Sequence, residues 1–448
     1  MNDTIVAIST TTGVGAISIV RLSGEEALNI TSKIFSKDLT SEKSHTIHYG
    51  YIKDGNEVVD EVLVTIMLAP KTFTKEDVVE INCHGGIATT NKVLELALKN
   101  GARLAEPGEF TKRAFLNGRI DLLEAEATMD LISSKSDRAR KMSINTLTGE
   151  TSNLIKELRN DIIQIISNIE VNIDYPEYED IEVLTNDKIL PDITSFKDKL
   201  IEIINKSNDS RVIKEGIKVG IIGRPNVGKS SLLNSLIEEE KAIVTDIPGT
   251  TRDIVEGSII LDGIILNITD TAGIRESEDV VEMLGVEKSM KIIDTSDLVI
   301  FILNNNEKIN DEEKAILEKL QDKNKIIVVN KIDLECKLDK SLLDNYIEIS
   351  VKENIGINKI KEEIKRLFRV GDISSDDMTY LSNARSISLL SKALDSINNS
   401  IKEIESNSPI DIVELSLKEA WNYLGEIIGE TYKEELLDEL FSRFCLGK

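Results

Sequence analysis

The chain has 448 residues, a formal net charge of −25 at pH 7 and a pI near 4.7. This length predicts about three domains of ordinary size. This net negative charge argues against a protein that binds nucleic acid through electrostatic attraction alone. Cys83, Cys336 and Cys445 lie far apart, and no apolar run reaches the ~18 residues of a membrane span. We therefore expect a soluble protein of the reducing cytoplasm, without disulfides.

The first domain, residues 1–117, is predicted to be α+β. Its β-branched and amphipathic runs follow the order β-β-α-β-β-β-α. These runs are residues 4–9, 15–22, 24–35, 49–52, 58–68, 78–82 and Ile87–Lys99. Asp54-Gly55 signals a hairpin between two of the strands, and Gly101 ends the last helix. The pattern predicts a compact sheet with helices on one side.

Helical periodicity begins near residue 120 and returns towards the end of the chain. The runs are residues 122–131, 153–173, 384–404, Ile410–Ile428 and 434–444. The simplest architecture is one helical domain, residues 118–213 and 372–448, split by an inserted module at residues 214–371. Two separate helical domains are the alternative.

The inserted module contains a phosphate-binding motif. Residues 223–230 read Gly-Arg-Pro-Asn-Val-Gly-Lys-Ser, after the apolar run Ile217–Ile222 and before a helical pattern. In such a strand, loop and helix, backbone N–H groups and the helix N-terminus face the phosphates. Lys229 is predicted to span the β- and γ-phosphates, and the Ser230 hydroxyl to hold Mg²⁺.

Three further motifs follow strand-like runs in the order of a guanine-nucleotide site. Asp270-Thr271-Ala272-Gly273 predicts contacts with the Mg²⁺ shell and the γ-phosphate. The second motif is Asn330-Lys331-Ile332-Asp333, in which the Asp333 carboxylate would accept hydrogen bonds from two donors of guanine that adenine lacks. The third, Ser350-Val351-Lys352, would pack on the base. The ligand belongs at the carboxyl ends of a mostly parallel sheet. One antiparallel hairpin is predicted at Asp262-Gly263.

The sequence also suggests how water is activated. Ile274 stands where many small GTPases carry a glutamine that orients the attacking water, so another residue must do this. Glu282 is the candidate, although spacing alone would make it one solvated acid among several. Asn226 could coordinate a monovalent cation together with carbonyls of residues 245–253, and Thr251 could bind Mg²⁺. A bound K⁺ would supply the charge of an arginine finger, an effect of roughly 10³–10⁵ in rate.

Longer motifs extend over the whole chain, including some of the segments already described. They occupy residues 3–7, 18–24, 80–86, 103–111, 113–122, 249–253, 270–275 and 444–448. Through them the whole chain resembles the MnmE (TrmE) family of tRNA-modification GTPases. The terminal Phe-Cys-Leu-Gly-Lys departs from the family's Phe-Cys-Ile-Gly-Lys only at Leu446. The fold class implied is α/β multidomain, with an α+β folate-binding domain and a helical domain split by a Ras-like P-loop GTPase domain.

The resemblance implies a homodimer that works with a FAD-dependent partner of the MnmG (GidA) family in a heterotetramer or larger assembly. Together they would install a carboxymethylaminomethyl-type group on carbon 5 of the wobble uridine of certain tRNAs. A tetrahydrofolate derivative, 5-formyl- or 5,10-methylene-tetrahydrofolate, would donate the one-carbon unit. GTP hydrolysis would drive a conformational cycle in which the G domains meet across the dimer. The choice of tRNAs and the amine donor, glycine or ammonium, stay open.

Residue by residue, the resemblance places the folate at Arg21, Glu80, Arg119 and Lys448. A carboxylate can accept hydrogen bonds from the paired donors of a pterin ring, and cationic side chains can bind the carboxylates of the glutamate tail and the carbonyl groups of the ligand. Arg119 departs from the lysine of some relatives, which changes the geometry but keeps the charge. Cys445 is a candidate catalytic residue, although a cysteine flanked by apolar residues is usually packed.

In the G domain, the resemblance makes Glu282 the catalytic residue, acting on water through a second water. The K⁺ ligands would be Asn226, Thr245, Ile247 and Thr250, and the Mg²⁺ ligands Ser230 and Thr251. The predicted GTP contacts are Asn226, Val227, Gly228, Lys229, Ser230, Ser231, Thr245, Asp246, Ile247, Pro248, Gly249, Thr250, Thr251, Asp270, Thr271, Ala272, Gly273, Asn330, Lys331, Asp333, Ser350 and Lys352.

Two other functions compete with this interpretation. A ribosome-assembly GTPase would use the same cation-dependent switch, but it usually carries a basic RNA-binding domain that is not evident here. A purely structural dimeric switch is the second alternative. His84 is interpreted as a packed or loop residue with no partner visible in the sequence.

Overall fold

The structure is a computed structural model that describes residues 3–11, 13–174, 186–239, 242–243, 257–261, 264–269, 284–368 and 379–448. The chain forms two compact units. Unit 1 combines Met1–Met129, Leu147–Arg159 and Trp421–Lys448. Unit 2 combines Asp130–Thr146 and Asn160–Ala420. The predicted domain boundaries after residues 117, 213 and 371 stay predictions.

Unit 1 contains a six-stranded sheet. Its strands are β1 (Ile5–Ile8), β2 (Ile17–Ser23), β3 (Thr46–Asp54), β4 (Glu57–Met67), β5 (Val78–His84) and β6 (Arg103–Leu104). The spatial order is β3-β4-β5-β2-β1-β6, and only the β1–β6 pair is parallel. The turn between β3 and β4 contains Gly55 at a φ of +61°, which confirms the hairpin predicted there.

One face of this sheet is apolar because successive strand side chains point to opposite faces. On β5 the buried Val79, Ile81 and Cys83 alternate with more exposed residues. Helices α1 (Ala27–Ile34) and α2 (Ile87–Lys99) cover the apolar face and complete one hydrophobic core. The α+β fold predicted for the start of the chain is confirmed.

The end of the chain also belongs to unit 1. Helix α14 (Glu434–Ser442) contacts α3 (Glu109–Leu116), and Phe441 is buried in one cluster with Phe115. Gly108 precedes α3 with a φ of +69°, and a Cβ there would lie 2.7 Å from the Phe441 carbonyl oxygen. Glycine at this position therefore permits the close approach of the two segments.

Unit 2 contains a seven-stranded sheet. Its strands are β7 (Ile217–Ile222), β8 (Ala242–Ile243), β9 (Gly257–Leu261), β10 (Ile264–Thr269), β11 (Leu298–Asn304), β12 (Lys325–Asn330) and β13 (Tyr346–Glu348). The order is β13-β12-β11-β7-β10-β9-β8, and the first five strands are parallel. Leu261 pairs with Ile264 in the antiparallel β9–β10 ladder, as predicted, while Asp262 and Gly263 lie outside the described residues.

Helices cover both faces of the second sheet. They are α8 (Lys229–Glu239), α9 (Leu284–Thr295), α10 (Asp311–Lys319) and α11 (Ile357–Leu367). Residues of β11 alternate between two cores: Ile300 and Ile302 belong to one, Phe301 and Leu303 to the other. A parallel sheet buried on both faces places its ligand at the carboxyl ends of the strands.

The remaining helices precede and follow this module in the chain. They are α4 (Leu122–Ser133), α5 (Asp137–Leu147), α6 (Glu150–Asp174), α7 (Asn186–Glu215), α12 (Ala384–Glu405) and α13 (Ile410–Ile428). Helix α7, before the module, packs against α12, after it, and Lys418 pairs with Glu170 at 2.7 Å. These contacts fit one split helical domain better than two separate domains. Within the described ranges, no helix is long and apolar enough to cross a membrane.

Candidate functional site

The loop after β7 has a backbone that requires glycine at two positions. A Cβ on Gly223, at a φ of +151°, would lie 2.5 Å from the Ile302 carbonyl oxygen. A Cβ on Gly228, at a φ of +102°, would lie 2.3 Å from Asn330 Nδ2. Between them Asn226 has a left-handed φ of +61°. The loop leads directly into α8, whose N-terminal N–H groups attract an anion.

The side chain of Lys229 turns back over this loop. Its Nζ donates to the carbonyl oxygens of Gly223 at 2.7 Å and Arg224 at 2.9 Å. Burial lowers the pKa of Lys229. Among the described residues, no carboxylate forms an ion pair with this ammonium group. A cation held only by carbonyl dipoles can exchange them for the stronger charge-assisted bonds of a phosphate.

Asn330, at the carboxyl end of β12, joins three loops through one buried side chain. Its Nδ2 donates to the Val227 carbonyl oxygen at 2.8 Å. Its Oδ1 accepts from the backbone N–H of Lys331 at 2.8 Å and of Val351 at 3.3 Å. The phosphate loop and the two predicted guanine loops are therefore fixed to the same carboxamide.

Asp333 and Ser350, both predicted guanine-site residues, are hydrogen-bonded to each other. The buried Ser350 Oγ donates to Asp333 Oδ1 at 2.7 Å, and this bond is the main reason that the pKa of Asp333 lies below its ordinary value. Lys352 and Lys331 lower it further by charge. Lys331 Nζ also donates to the Asn226 carbonyl oxygen at 2.7 Å. The exposed carboxylate is thus held ionised, as an acceptor for guanine must be.

Several predicted residues lie outside the described residues. They are Thr245, Asp246, Ile247, Pro248, Gly249, Thr250, Thr251, Asp270, Thr271, Ala272, Gly273, Ile274 and Glu282. Of the predicted metal ligands, only Asn226 and Ser230 are described.

Sequence reasoning missed a second polar group beside the phosphate loop. Arg224 Nη1 pairs with Glu307 Oε2 at 2.9 Å, and Glu307 Oε1 accepts from Asn304 Nδ2 at 2.8 Å. Asn305 donates its N–H to the Asn330 carbonyl oxygen at 2.9 Å. Asn304 ends the apolar strand β11, and Asn305 and Glu307 come after it. A polar run at the carboxyl end of a parallel strand was the signal that could have found them.

Arg21 in unit 1 binds another predicted folate residue, Glu80, and the backbone next to Lys448. It lies opposite Glu80 in the β2–β5 ladder, and its Nε donates to Glu80 Oε1 at 2.8 Å. Its Nη1 donates to the Gly447 carbonyl oxygen at 3.2 Å. The guanidinium lies 5.7 Å from the centre of the Phe110 ring. Residues far apart in sequence therefore meet at one guanidinium.

The end of the chain is fastened beside this pair. Ser9 Oγ donates to the Gly447 carbonyl oxygen at 3.2 Å, and the Phe110 N–H donates to the Lys448 carbonyl oxygen at 3.2 Å. Gly447 has a φ of +87°, and a Cβ there would lie 2.4 Å from the Ile8 carbonyl oxygen. The backbone of Gly447 is thus held beside Arg21 and that of Lys448 beside Phe110, and the folate-binding role of Lys448 stays a prediction.

Arg119 and Cys445 occupy different surroundings. The exposed Arg119 guanidinium lies 5.4 Å from the centre of the Phe73 ring, and no hydrogen bond or ion pair among the described residues links it to Glu80. Cys445 is an exposed free thiol. The structure therefore groups Arg21, Glu80 and the backbone of Gly447, whereas the Arg119 guanidinium lies beside the Phe73 ring.

A buried ion network also escaped the sequence analysis. Arg113 is 1% exposed, and its guanidinium contacts Asp3 at 2.7 Å, Glu109 at 3.0 Å and Glu76 at 3.2 Å. Arg103 pairs with Asp3 and Glu109 as well. The network ties the start of β1 and the segment before β5 to α3, the helix that contacts Arg21 and the chain terminus.

His84, predicted to be a packed or loop residue, is the last residue of β5. Its side chain is 70% exposed, its Nδ1 lies 2.7 Å from Asp60 Oδ1, and its N–H donates to Asp60 Oδ2 at 2.8 Å. The hydrogen bond that the ring donates to the Asp60 carboxylate raises the pKa of the imidazole. The partner lies on a neighbouring strand, so spacing could not reveal it.

Comparisons with known proteins agree with this structure. The family model for the GTP-binding protein TrmE N-terminus matches residues 4–119, and the model for the MnmE helical domain matches residues 122–445. The chain is 51% identical to the tRNA modification GTPase MnmE of Bacillus pumilus and 50% identical to that of Bacillus subtilis, covering 100% of each chain. Identity to the Listeria welshimeri relative is 50%, covering 100% of this chain and 99% of that one. The chain belongs to the MnmE (TrmE) family of tRNA modification GTPases.

Proposed function

We propose that this protein is a K⁺-dependent GTPase that acts in the cytoplasm with a FAD-dependent partner. Together they add a carboxymethylaminomethyl-type group to carbon 5 of the wobble uridine of certain tRNAs, using a tetrahydrofolate one-carbon unit. Family membership supports GTP hydrolysis and the tRNA substrate. Residues 1–117 would bind folate and dimerise, residues 118–213 and 372–448 would form the helical domain, and residues 214–371 would bind GTP.

The nucleotide would lie on the loops that Asn330 joins. Lys229 would exchange its two carbonyl partners for phosphate oxygens, and Asp333 would accept from the guanine ring. Because one carboxamide contacts both the phosphate loop and the guanine loops, the spacing between base and phosphate recognition is set before the nucleotide binds. Such preorganisation reduces the ordering that binding requires.

A potassium ion would complete the hydrolytic site. The Asn226 side chain is exposed at the tip of the phosphate loop, where its carboxamide oxygen suits a hard cation. Thr245, Ile247 and Thr250 would supply the other ligands, while Ser230 and Thr251 would hold Mg²⁺. The K⁺ would add positive charge beside the transferring phosphate, and Glu282 would orient water.

The position of Arg21 carries the folate part of the proposal. Arg21 holds Glu80 with one nitrogen and the chain terminus with another. Glu80 keeps acceptor capacity for the paired donors of a pterin ring, because a carboxylate has about four lone-pair sites. Lys448, whose backbone is bonded to Phe110, would add positive charge. Arg119, whose guanidinium lies beside the Phe73 ring, would do the same.

A second copy of the chain would cover the outer face of the β3–β4 hairpin. Three apolar side chains alternate there with inward ones: Ile47 is 65% exposed, Tyr49 50% and Leu63 46%. An exposed apolar sheet face of this kind marks an interaction site. The flavoprotein partner would join this homodimer in a heterotetramer or larger assembly. It would make most contacts with tRNA, since this chain has a net charge of −25.

Calorimetry with 5-formyltetrahydrofolate tests the central claim. We expect the full chain to bind it stoichiometrically and Arg21→Ala to lose binding, because the guanidinium organises both Glu80 and the terminus. Arg140→Ala, at an exposed pair with Asp137, is the control and should bind like the wild type. Absence of binding by the wild type would refute the folate function.

The potassium claim has its own test. GTP turnover should fall when K⁺ is replaced by Na⁺, and Asn226→Ala should remove that difference while leaving GDP affinity nearly unchanged. Turnover that is indifferent to the cation would refute the role of Asn226.

A further inference from the structure

Asn305, the first residue after β11, is bonded to residues 331–338, which we call the guanine segment. Its Nδ2 donates to the Leu334 carbonyl oxygen at 3.0 Å. Its own carbonyl oxygen accepts from the N–H groups of Lys337 at 2.9 Å and Leu338 at 3.1 Å. One residue at the end of the neighbouring strand therefore binds three backbone groups of this segment.

The guanine segment is held mainly by hydrogen bonds and not by packing. Residues 333–337 are all exposed, and the Leu334 side chain is 45% exposed. Inside the segment, the Leu334 N–H donates to the Lys331 carbonyl oxygen at 3.0 Å. A loop with few buried apolar contacts depends on such bonds for its conformation. The bonds from Asn305 thus decide where the backbone on either side of Asp333 lies.

The carboxamide of Asn305 is buried at a cost. The residue is 3% exposed, and its Oδ1 has no hydrogen-bond partner among the described residues. An unpaired buried polar atom is unfavourable, and an apolar side chain would avoid it. What the carboxamide adds to the position is the Nδ2 donor, and the acceptor of that donor is the residue directly after Asp333.

Asp333 is therefore fixed from two sides. Ser350 Oγ donates to its carboxylate at 2.7 Å, and Asn305 Nδ2 holds the carbonyl group of the next residue, Leu334. Guanine offers a ring N–H and an exocyclic amine side by side. A carboxylate accepts from both at once only in one orientation, because paired hydrogen bonds are geometrically specific.

We propose that Asn305 is a positioning residue for guanine recognition, which sets the orientation of Asp333 through the Leu334 carbonyl group. This rests on the proposed nucleotide site, in which Asp333 accepts from the guanine ring. Asn305 acts through the backbone and not through a contact with the base. Its contribution is then to specificity for the base more than to binding of the phosphates.

The test titrates the full chain with GTP and with inosine triphosphate, whose base lacks only the exocyclic amine. The wild type should prefer GTP roughly 10- to 100-fold, the value of one hydrogen bond to a charged group. Asn305→Ala should narrow this preference roughly 3-fold or more, because a displaced Asp333 no longer meets both donors. Asn305→Leu keeps the volume of the side chain without its donor, and the same narrowing is expected.

Asn306→Ala is the matched control. Asn306 is the next residue in the same turn, and its carboxamide oxygen also has no partner among the described residues. It is not bonded to the guanine segment, so its substitution should leave the preference for GTP unchanged. A narrowing as large as that of Asn305→Ala would overturn the assignment, since the effect would belong to the turn in general.

The wild type tests the nucleotide site, and the variants test Asn305. If the wild type binds the two nucleotides equally well, Asp333 does not contact the amine and both proposals fail. If the wild type prefers GTP but the Asn305 variants lose affinity for both nucleotides in the same proportion, Asn305 supports the fold and does not position Asp333. Affinities that stay unchanged in both variants would overturn the inference as well.

Discussion

The two candidate sites of this protein are built in opposite ways. In unit 2, backbone loops at the ends of parallel strands are joined by one neutral side chain, Asn330. In unit 1, the charged side chain of Arg21 connects two strands from the first hundred residues with the end of the chain. The residues of the first site lie in short sequence motifs, so they can be recognised from the sequence. The second exists only once the termini have packed together.

The difference extends to the cation in each site. Lys229 is held by two neutral carbonyl groups, whereas Arg21 already binds the carboxylate of Glu80. An incoming anion can displace carbonyl dipoles from Lys229, but it would have to compete with a full charge at Arg21. We infer that the pair in unit 1 works intact and recognises a ligand that offers donors to Glu80.

Substitution of Arg113 should lower the free energy of unfolding of unit 1 more than the other substitutions below. Arg113→Met leaves the buried Glu109, which is 3% exposed, with weaker compensation. Breaking a buried pair in this way costs about 3–5 kcal/mol of unfolding free energy. Urea denaturation of the full chain, followed by the near-ultraviolet signal, would measure the loss.

Lys99→Met is the matched control, because it breaks a pair with Glu95 in which the two side chains are 57% and 49% exposed, and exposed pairs contribute about 0–1 kcal/mol. Equal losses for the two variants would show that burial of Arg113 does not decide the stability of this unit.

Asn330→Ala should have the largest effect on the nucleotide site. It removes three hydrogen bonds and leaves the buried Val227 carbonyl oxygen without its donor. At about 1 kcal/mol for each bond, GTP affinity should fall on the order of 100-fold. Titration with a fluorescent GTP analogue would measure this.

Asn324→Ala provides the control, since Asn324 precedes the amino end of the same strand and makes one long bond of 3.4 Å. Unaltered GTP affinity in Asn330→Ala would contradict the view that this carboxamide preorganises the three loops.

Much of unit 2 could be predicted from the sequence because its information is local. An apolar strand, a glycine-rich loop and a helix are adjacent in the chain, so Lys229 and Asn330 were found by motif. Arg113 could not be assigned a role, because its partners Asp3 and Glu76 become neighbours only through the sheet order. The resemblance identified Arg21 and Glu80, but their direct pairing follows from the β2–β5 register.

Acid should weaken the charged network in unit 1. A hydrogen bond from Arg103 is the main reason that the pKa of Asp3 is lowered. Burial opposes ionisation of Glu109, but bonds from Arg103, the Glu106 N–H and Arg113 outweigh it, so its pKa is lowered too. Carboxylates with lowered folded pKa values stabilise the fold above their ordinary values of 3.8 and 4.5. This contribution is lost as the pH falls through the folded values.

The difference in urea midpoint between the wild type and Glu109→Gln should therefore shrink from about pH 6 to about pH 3. A difference that stays constant over this range would mean that Glu109 contributes by packing and not by charge.

The smallest effect is expected for the hydroxyl that helps to hold the end of the chain. Ser9→Ala removes one hydrogen bond to the Gly447 carbonyl oxygen, which keeps its bond from Arg21. A single neutral bond contributes about 0.5–1.5 kcal/mol, so 5-formyltetrahydrofolate affinity should fall several-fold at most, with GTP affinity unchanged. Ser41→Ala, at an exposed position of unit 1, is the control. A loss as large as that of Arg21→Ala would show that Ser9 and not the guanidinium positions the terminus, and the charged pair would then lose its place as the organiser of this site.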